Sequence, residues 1–319
     1  ADAARSQRDE IARAIRAAGT DHLILRTDRD WLLDLVRFVT LRRQRALDHL
    51  VDRFLTSAPP PAARRALRVG AYQLVFRDDI PTYAAVSATV DAAPKRFRGL
   101  VNAVLRKVAG APVAYPDVAT ELSYPDWVVS LLRTDLGAEV ADAALRSMNE
   151  SASATVRADG YTQDLGSQMV AELVGASDGE VVLDLCAAPG GKTAHILETA
   201  DVILTALDSD AGRARRVTEN LDRLGLGAKV YTADCRDLDR WWNGRPFDRI
   251  LADVPCSASG VVRRNPDIKW LRRSDDIARF AAQQADILEA LWRVLAPGGK
   301  MLYATCSVFA EENGDQVAA

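Results

Sequence analysis

The sequence predicts two folds in one chain: an all-helical N-terminal domain, then an α/β domain built on a doubly wound, mainly parallel sheet. Two observations carry this. Through the first 110 residues apolar side chains recur at helical spacing between proline breaks, and from residue 180 short strand-like runs alternate with helical segments. The length agrees, since 319 residues exceed what a single hydrophobic core ordinarily organises.

The elements follow in order. WLLDLVRFVTLRRQRALDHLVDRFL (31–55) puts Leu32, Leu35, Val36, Val39, Leu47, Leu50, Val51 and Leu55 on one helical stripe, with arginines opposite. APPPAAR (58–64) ends it, because proline cannot continue a helix but suits the first turn of the next. Helices are expected at 63–76, 81–93 and 98–109. GAPVAYPDVATELSYP (110–125), with three prolines, reads as a linker. DWVVSLLRTDL and AEVADAALRSMNE read as helices beyond it, and SATVRA (153–158) as a short strand. The α/β strands are EVVLDL (180–185), VILTALD (202–208), AKVYTA (228–233), FDRILAD (247–253) and KMLYAT (300–305). RARRVTENLDRLG and DIARFAAQQADILEALWRVL supply helices between them, and ligands of such a sheet bind beyond the carboxyl ends of its strands.

Composition narrows the class. A chain 48% hydrophobic and 27% charged is that of a soluble globular protein. No apolar run reaches the roughly 18 residues of a membrane span, and ADAARSQRDEIARAIR carries charges throughout, unlike a secretory signal. Cys186, Cys235, Cys256 and Cys306 show no C-x-x-C spacing, which argues against zinc, so no metal is expected. Reduced thiols in a cytoplasm are the expectation. Residues 1–110 hold 20 Lys and Arg against 12 Asp and Glu, while the remainder is acidic. That asymmetry suits a polyanion-binding module joined to another domain, or simply solvated helix faces.

The chemistry concentrates at the strand ends. DLCAAPGGKTAHIL (184–197) follows the first strand, where small residues and two glycines let backbone approach a ligand at a helix N-terminus. It is neither G-x-G-x-x-G nor a P-loop, so neither dinucleotide nor P-loop phosphate binding follows. Asp208 ends the second strand, where a carboxylate can accept ribose hydroxyls. Asp234 follows the third and Asp253 ends the fourth. Acidic residues at three strand tips suit a phosphate-free nucleoside with a cationic centre, as in S-adenosylmethionine. Any one of them alone could be a helix cap.

DLCAAPGGKT, DVPCSASGVVRRNPDIKW and YATCSV…EEN resemble the RNA cytosine-5 methyltransferases, and are most similar to the bacterial 16S rRNA methyltransferase B (RsmB/Sun) group. LRVGAYQLVF…IPTYAAVSATVDAA…RGLVNAVLRK resembles the NusB-type helical RNA-binding domain that this group carries. The resemblance implies a Rossmann-like methyltransferase domain at 169–319, a NusB-like domain at 1–110, and at 111–168 a linker with part of a small RNA-binding subdomain. It implies a monomer acting on 16S rRNA with S-adenosylmethionine and away from membranes. Cys186, Ala187, Ala188, Pro189, Gly190, Gly191 and Lys192 would hold the methionine part, Lys192 meeting the carboxylate or standing as a surface lysine. Asp208 would hold the ribose and Asp234 the adenine edge. Arg213 is counted among the cofactor-binding residues, and Asp253 would lie between cofactor and target base. Cys306 would be the nucleophile and Cys256 the second thiol, with Cys186 and Cys235 structural.

Two departures stand out. Between TVRAD (155–159) and GYTQDLGSQ (160–168) the family usually carries a longer stretch, and the chain stops at Ala319, before the last strands of such a sheet. The expectation is that residues are left out of the sequence at both places rather than absent from the protein.

Two thiols answer a specific chemical need. Carbon 5 of cytosine is a poor nucleophile, and thiolate addition at carbon 6 turns the ring into an enamine-like species that attacks through carbon 5. Release then requires loss of the carbon 5 proton and expulsion of the thiolate, which a second group can assist. Neighbouring parallel strands lie about 4.8 Å apart, so cysteines just past both would face one pocket. Asp253 could stabilise the adduct through the ring nitrogen or exocyclic amine. Amino-group methyltransferases would carry an aromatic residue where DVPC stands. The basic domain could attract folded rRNA while an unpaired cytosine enters the cleft. Arg263, Arg264 and Lys269 could hold phosphates beside it, and Trp270 either stacks on a base or belongs to a core. A tRNA cytosine-5 methyltransferase would share the whole site, and a non-catalytic NusB-like RNA-binding protein is the rival of a different class.

Overall fold

The computed structural model describes residues 41–150, 155 and 165–318, which form two compact units. One contains residues 41–150 together with Val261–Arg272, and the other contains residues 165–260 and Arg273 onward. The expected strand at 153–158, the shortened 155–168 stretch and the stripe residues before 41 lie outside the described residues, Thr155 and 165–168 apart.

In the first unit, α1 (Gln44–Asp52), α2 (Pro61–Phe76), α3 (Thr82–Ala92) and α4 (Arg98–Gly110) pack around Leu47, Val51, Leu67, Ala71, Val86, Val101, Val104, Leu105 and Val108. Pro61 opens α2 as its missing N–H permits. Gly70 lets α2 and α4 approach, because a Cβ there would clash with the buried Leu105 side chain. The first helix stops at Asp52, so Leu55 falls beyond the stripe expected to include it.

The stretch read as a linker is packed. Asp117 caps a helical turn at Val118–Glu121 by accepting Thr120 N at 2.6 Å. Beyond it Leu122, Ser123 and Tyr124 are buried, and Ser123 Oγ accepts Ala46 N at 2.8 Å. Its prolines start and stop turns; they do not free the chain. Two further helices, α5 (Asp126–Leu136) and α6 (Ala138–Met148), complete this part and are tied by the Arg133–Asp142 ion pair.

RRNPDIKW also belongs to the first unit. Lys269, 3% exposed, donates to the carbonyls of Arg42 and Ser123 and to Asn149 Oδ1, and lies 3.7 Å from the Tyr124 ring centroid. Burial, then Arg43 and Arg42, push its amine down to about 6. The three acceptors and the ring face pull the other way, since they suit an ammonium. Trp270 Nε1 donates to Leu41 O at 2.9 Å. Lys269 therefore cannot reach phosphate, which corrects that expectation: its acceptors are backbone and amide oxygens of this unit. The Trp270 ring is half-buried and its N–H is held within this unit. Arg263 is half-buried and Arg264 exposed, both on the first unit.

The second unit is a parallel sheet of β1 (Val181–Leu185), β2 (Ile203–Asp208), β3 (Lys229–Thr232), β4 (Phe247–Asp253) and β5 (Leu295–Ala304), in the order β3-β2-β1-β4-β5. It is flanked by α7 (Leu165–Val174), α8 (Gly191–Thr199), α9 (Ala211–Leu224) and α10 (Ser274–Trp292). Strand alternation feeds two cores. Val182, Ala206 and Leu251 pack with Ala194, Val217 and Leu221, whereas Leu183, Leu207 and Ile250 pack with Trp241, Ile287 and Leu291. The fifth strand begins five residues earlier than expected. Phe247 pairs with Leu295 and Arg249 with Lys300, so Ala296–Gly299 bulge out instead of breaking the strand. No described helix is long and apolar enough to cross a membrane.

Candidate active site

The order of strands reverses direction between β1 and β4, and beyond that switch point lies the crevice of such sheets. The loop after β1 enters it. Cys186 has φ +55° and Gly190 φ +98°, and a Cβ at Gly190 would also press Val217 Cα at 3.2 Å, so glycine is required on both counts. Burial pushes the Cys186 thiol up to about 12 and the Cys235 thiol, in the core, up to about 11. Both are packing residues at neutral pH.

Asp208, 2% exposed, accepts Asp210 N at 3.1 Å and pairs with Arg213 Nη2 at 3.2 Å. Arg213 thus reaches the site through Asp208, its backbone N–H being held by the N-cap Asp210 at 2.7 Å. Asp234 is half-exposed and held by Arg236, whose side-chain hydrogen bonds draw its carboxyl down to about 2. A carboxylate has about four acceptor positions, so an amino group can still be met there. Lys192 Nζ lies 2.7 Å from Asp253 Oδ2, joining the loop after β1 to the tip of β4.

The two thiols meet. Asp253 and Ala304 are register partners, and beyond them Cys256 Sγ and Cys306 Sγ lie 3.2 Å apart. Cys256 Sγ also accepts the Cys306 backbone N–H at 3.3 Å. These donors lower the Cys256 thiol below its ordinary range, and giving its proton to that bond raises Cys306. The hydrogen bond between the two sulfurs gives a proton a path from one to the other. All four cysteines are free.

Sequence reasoning passes over a second layer. Asp184 is buried within β1, accepts Thr193 Oγ1 at 2.6 Å, has no partner on Oδ1 among the described residues, and is pushed by burial up to about 7. An acidic residue inside the apolar run VVLDL is the available signal. Ser257, Ser307, Gln284 and Glu312 form a hydrogen-bonded network under the thiols, and the sequence motifs include Ser257, Ser307 and Glu312 without giving them a role. No described cluster of three or more His, Cys, Asp or Glu could hold a metal ion.

The chain resembles known proteins. Residues 171–319 match a family model described as 16S rRNA methyltransferase RsmB/F, and residues 3–110 match the NusB family. The chain is 39% identical to the ribosomal RNA small subunit methyltransferase B of Vibrio vulnificus over 79% of its length and 72% of that protein's. It is 36% identical to the same-named protein of Xanthomonas campestris pv. campestris, over 90% of this chain and 78% of the other. In fold it is similar to the crystal structure of PH0851, with a TM-score of 0.68 at 23% identity over 92% of this chain and 81% of that one.

Proposed function

The chain belongs to the 16S rRNA methyltransferase RsmB/F family, and from that premise we propose that it methylates carbon 5 of a cytosine in 16S rRNA, using S-adenosylmethionine. The observation that carries the reading is the thiol pair, 3.2 Å apart at the tips of adjacent strands. A methyltransferase acting on an amino group has no use for it.

The residues present fit the donor. The left-handed Gly190 opens the loop, Asp208 offers a buried carboxylate, and Asp184 keeps one buried oxygen without a protein partner among the described residues. The loop 186–192 with Asp208, Arg213 and Asp234 would hold S-adenosylmethionine, which supplies a sulfonium methyl group when bound. The chain's own residues handle the base. Cys306 Sγ bonds to carbon 6 as its proton crosses to Cys256, and the electron pair of the 5,6 double bond makes carbon 5 nucleophilic. Cys256 passes that proton to solvent. After methylation it takes the proton of carbon 5, the carbon 6–sulfur bond breaks, and the double bond returns. Asp253 stabilises charge on the ring, with Lys192 fixing its orientation.

The hydrogen bonds at the pair favour the thiolate at Cys256 over Cys306, whereas the motif assigns attack to Cys306. Proton transfer across the short sulfur–sulfur hydrogen bond reconciles them. Bisulfite sequencing of rRNA and tRNA from cells with and without the gene tests the substrate. A 16S cytosine losing its mark supports the proposal, and a tRNA cytosine losing it instead moves the activity to tRNA.

A further inference from the structure

Each of the two cysteines is followed by a serine, and both serines reach one carboxyl group. Glu312, with 0% of its surface exposed, lies in the short helical turn Ala310–Glu312 beyond β5. Its Oε1 accepts the Ser257 backbone N–H at 2.7 Å and Gln284 Nε2 at 3.1 Å, and its Oε2 accepts Ser307 Oγ at 2.6 Å. Gln284, on α10, also donates to Pro255 O at 2.9 Å, so the residues on both sides of Cys256 are held. The carbonyl of Cys306 in turn accepts Gly260 N at 2.8 Å. A buried carboxyl group gives little net stability compared with an apolar filler of the same shape. What this one does is fix two loops from different strands to a common point.

We propose that Glu312 is the positioning residue of the thiol pair: it sets the separation and orientation of Cys256 and Cys306 by holding the residue that follows each. Adjacency of β4 and β5 brings the loops together, but it does not by itself bring two sulfurs to 3.2 Å. A drift of about 1 Å would take them out of hydrogen-bond range, and misplacements of that size cost on the order of 100-fold in rate. The link to methylation rests on the thiol reading of the reaction given above, while the positioning itself does not.

Two variants of the full chain, Glu312→Gln and Ser307→Ala, test it through two readouts. The first is iodoacetamide alkylation of Cys256 and Cys306 against pH, followed peptide by peptide by mass spectrometry. The wild type is expected to alkylate one of the two thiols below the ordinary cysteine midpoint of about 8.5. In Ser307→Ala, which keeps the Glu312 charge, that midpoint moves up toward the ordinary value, and in Glu312→Gln the loss of positioning works against the loss of a carboxylate whose charge itself raises the Cys256 thiol. The second readout is methyl transfer: kcat is expected to fall roughly 10- to 100-fold in Glu312→Gln, with KM for RNA and S-adenosylmethionine affinity unchanged. A lower melting temperature with the Ser307→Ala midpoint and the Glu312→Gln kcat both unmoved would make Glu312 merely structural and overturn the proposal. If Glu312→Gln does not fold, an unmoved midpoint in Ser307→Ala overturns it. If the single cysteine variants methylate normally, the thiol reading fails, yet the alkylation midpoint still decides the positioning role.

Discussion

Lys192 Nζ and Asp253 Oδ2 lie 2.7 Å apart, joining a residue expected to meet the cofactor to one expected to meet the base. The pair is part-buried, at 22% and 29% side-chain exposure, so each group depends on the other for compensation. Asp253→Asn is expected to lower the single-turnover methylation rate by roughly 100- to 1,000-fold, the scale of losing one group that stabilises developing charge. Its S-adenosylmethionine affinity should hold or improve, because Lys192 is released. Lys192→Met should weaken cofactor binding and, by freeing Asp253, lower the rate by less than Asp253→Asn does. Calorimetry and rapid-quench rates in which both variants lose affinity and rate equally would contradict this division.

Asp208 is buried and already organised by Arg213 and the Asp210 N–H. Removing a charged acceptor from ribose hydroxyls costs about 1.5–3 kcal/mol, so Asp208→Ala should weaken S-adenosylmethionine roughly 10- to 150-fold by calorimetry. Unchanged affinity would remove Asp208 from the site.

Lys269 makes stability depend on pH. Its folded-state amine is pushed down to about 6, below the unfolded value of about 10.4, so between those limits the unfolded chain binds more protons. Stability must then rise with pH across that window, by at most about 1.4 kcal/mol per unit. Denaturant titrations at pH 6.5 and 8.5 should show the wild type gaining on Lys269→Met. Parallel curves for the two proteins would mean that the ammonium stays charged inside, held by its three oxygens and the Tyr124 ring.

Much of this is legible from residues alone. Strand runs such as FDRILAD can be read to their ends because β-branched and apolar residues between turn signals have few other solutions. The two cysteines can be placed together because both follow neighbouring parallel strands. What escapes is tertiary. Nothing local says that RRNPDIKW, embedded between α/β elements, folds into the helical unit, or that Lys269 points at carbonyls rather than solvent. Proline-rich 110–125 resembles a linker because proline punctuates turns whether or not the turns are packed. Glu312 is equally opaque, since two of its three donors, Ser257 N and Gln284 Nε2, come from distant parts of the chain.

The basic surplus of residues 1–110 is testable without deleting the unit, which would strip Lys269 of the Arg42 carbonyl. Lys95, Arg96, Arg106 and Lys107 are exposed on and beside α4. Replacing all four with glutamine should lower the slope of log affinity against log salt by about 0.7–0.9 for each phosphate no longer neutralised, with cofactor affinity unchanged. An unaltered slope would assign these cations to a solvated face.

In the proposed reaction Cys306 forms a bond to the base and Cys256 serves release. The most direct measurement mixes Cys256→Ala and Cys306→Ala with substrate rRNA and S-adenosylmethionine and resolves the products on a denaturing gel. A slow, nuclease-sensitive protein–RNA band that requires S-adenosylmethionine is expected in Cys256→Ala, and none in Cys306→Ala. Without its raising partner, Cys306 should form that band more readily as pH rises from 7 to 9, toward an ordinary thiol value of about 8.5. A band in Cys306→Ala and none in Cys256→Ala would exchange the two roles. No band in either variant, with methylation intact in both, would contradict thiol catalysis altogether.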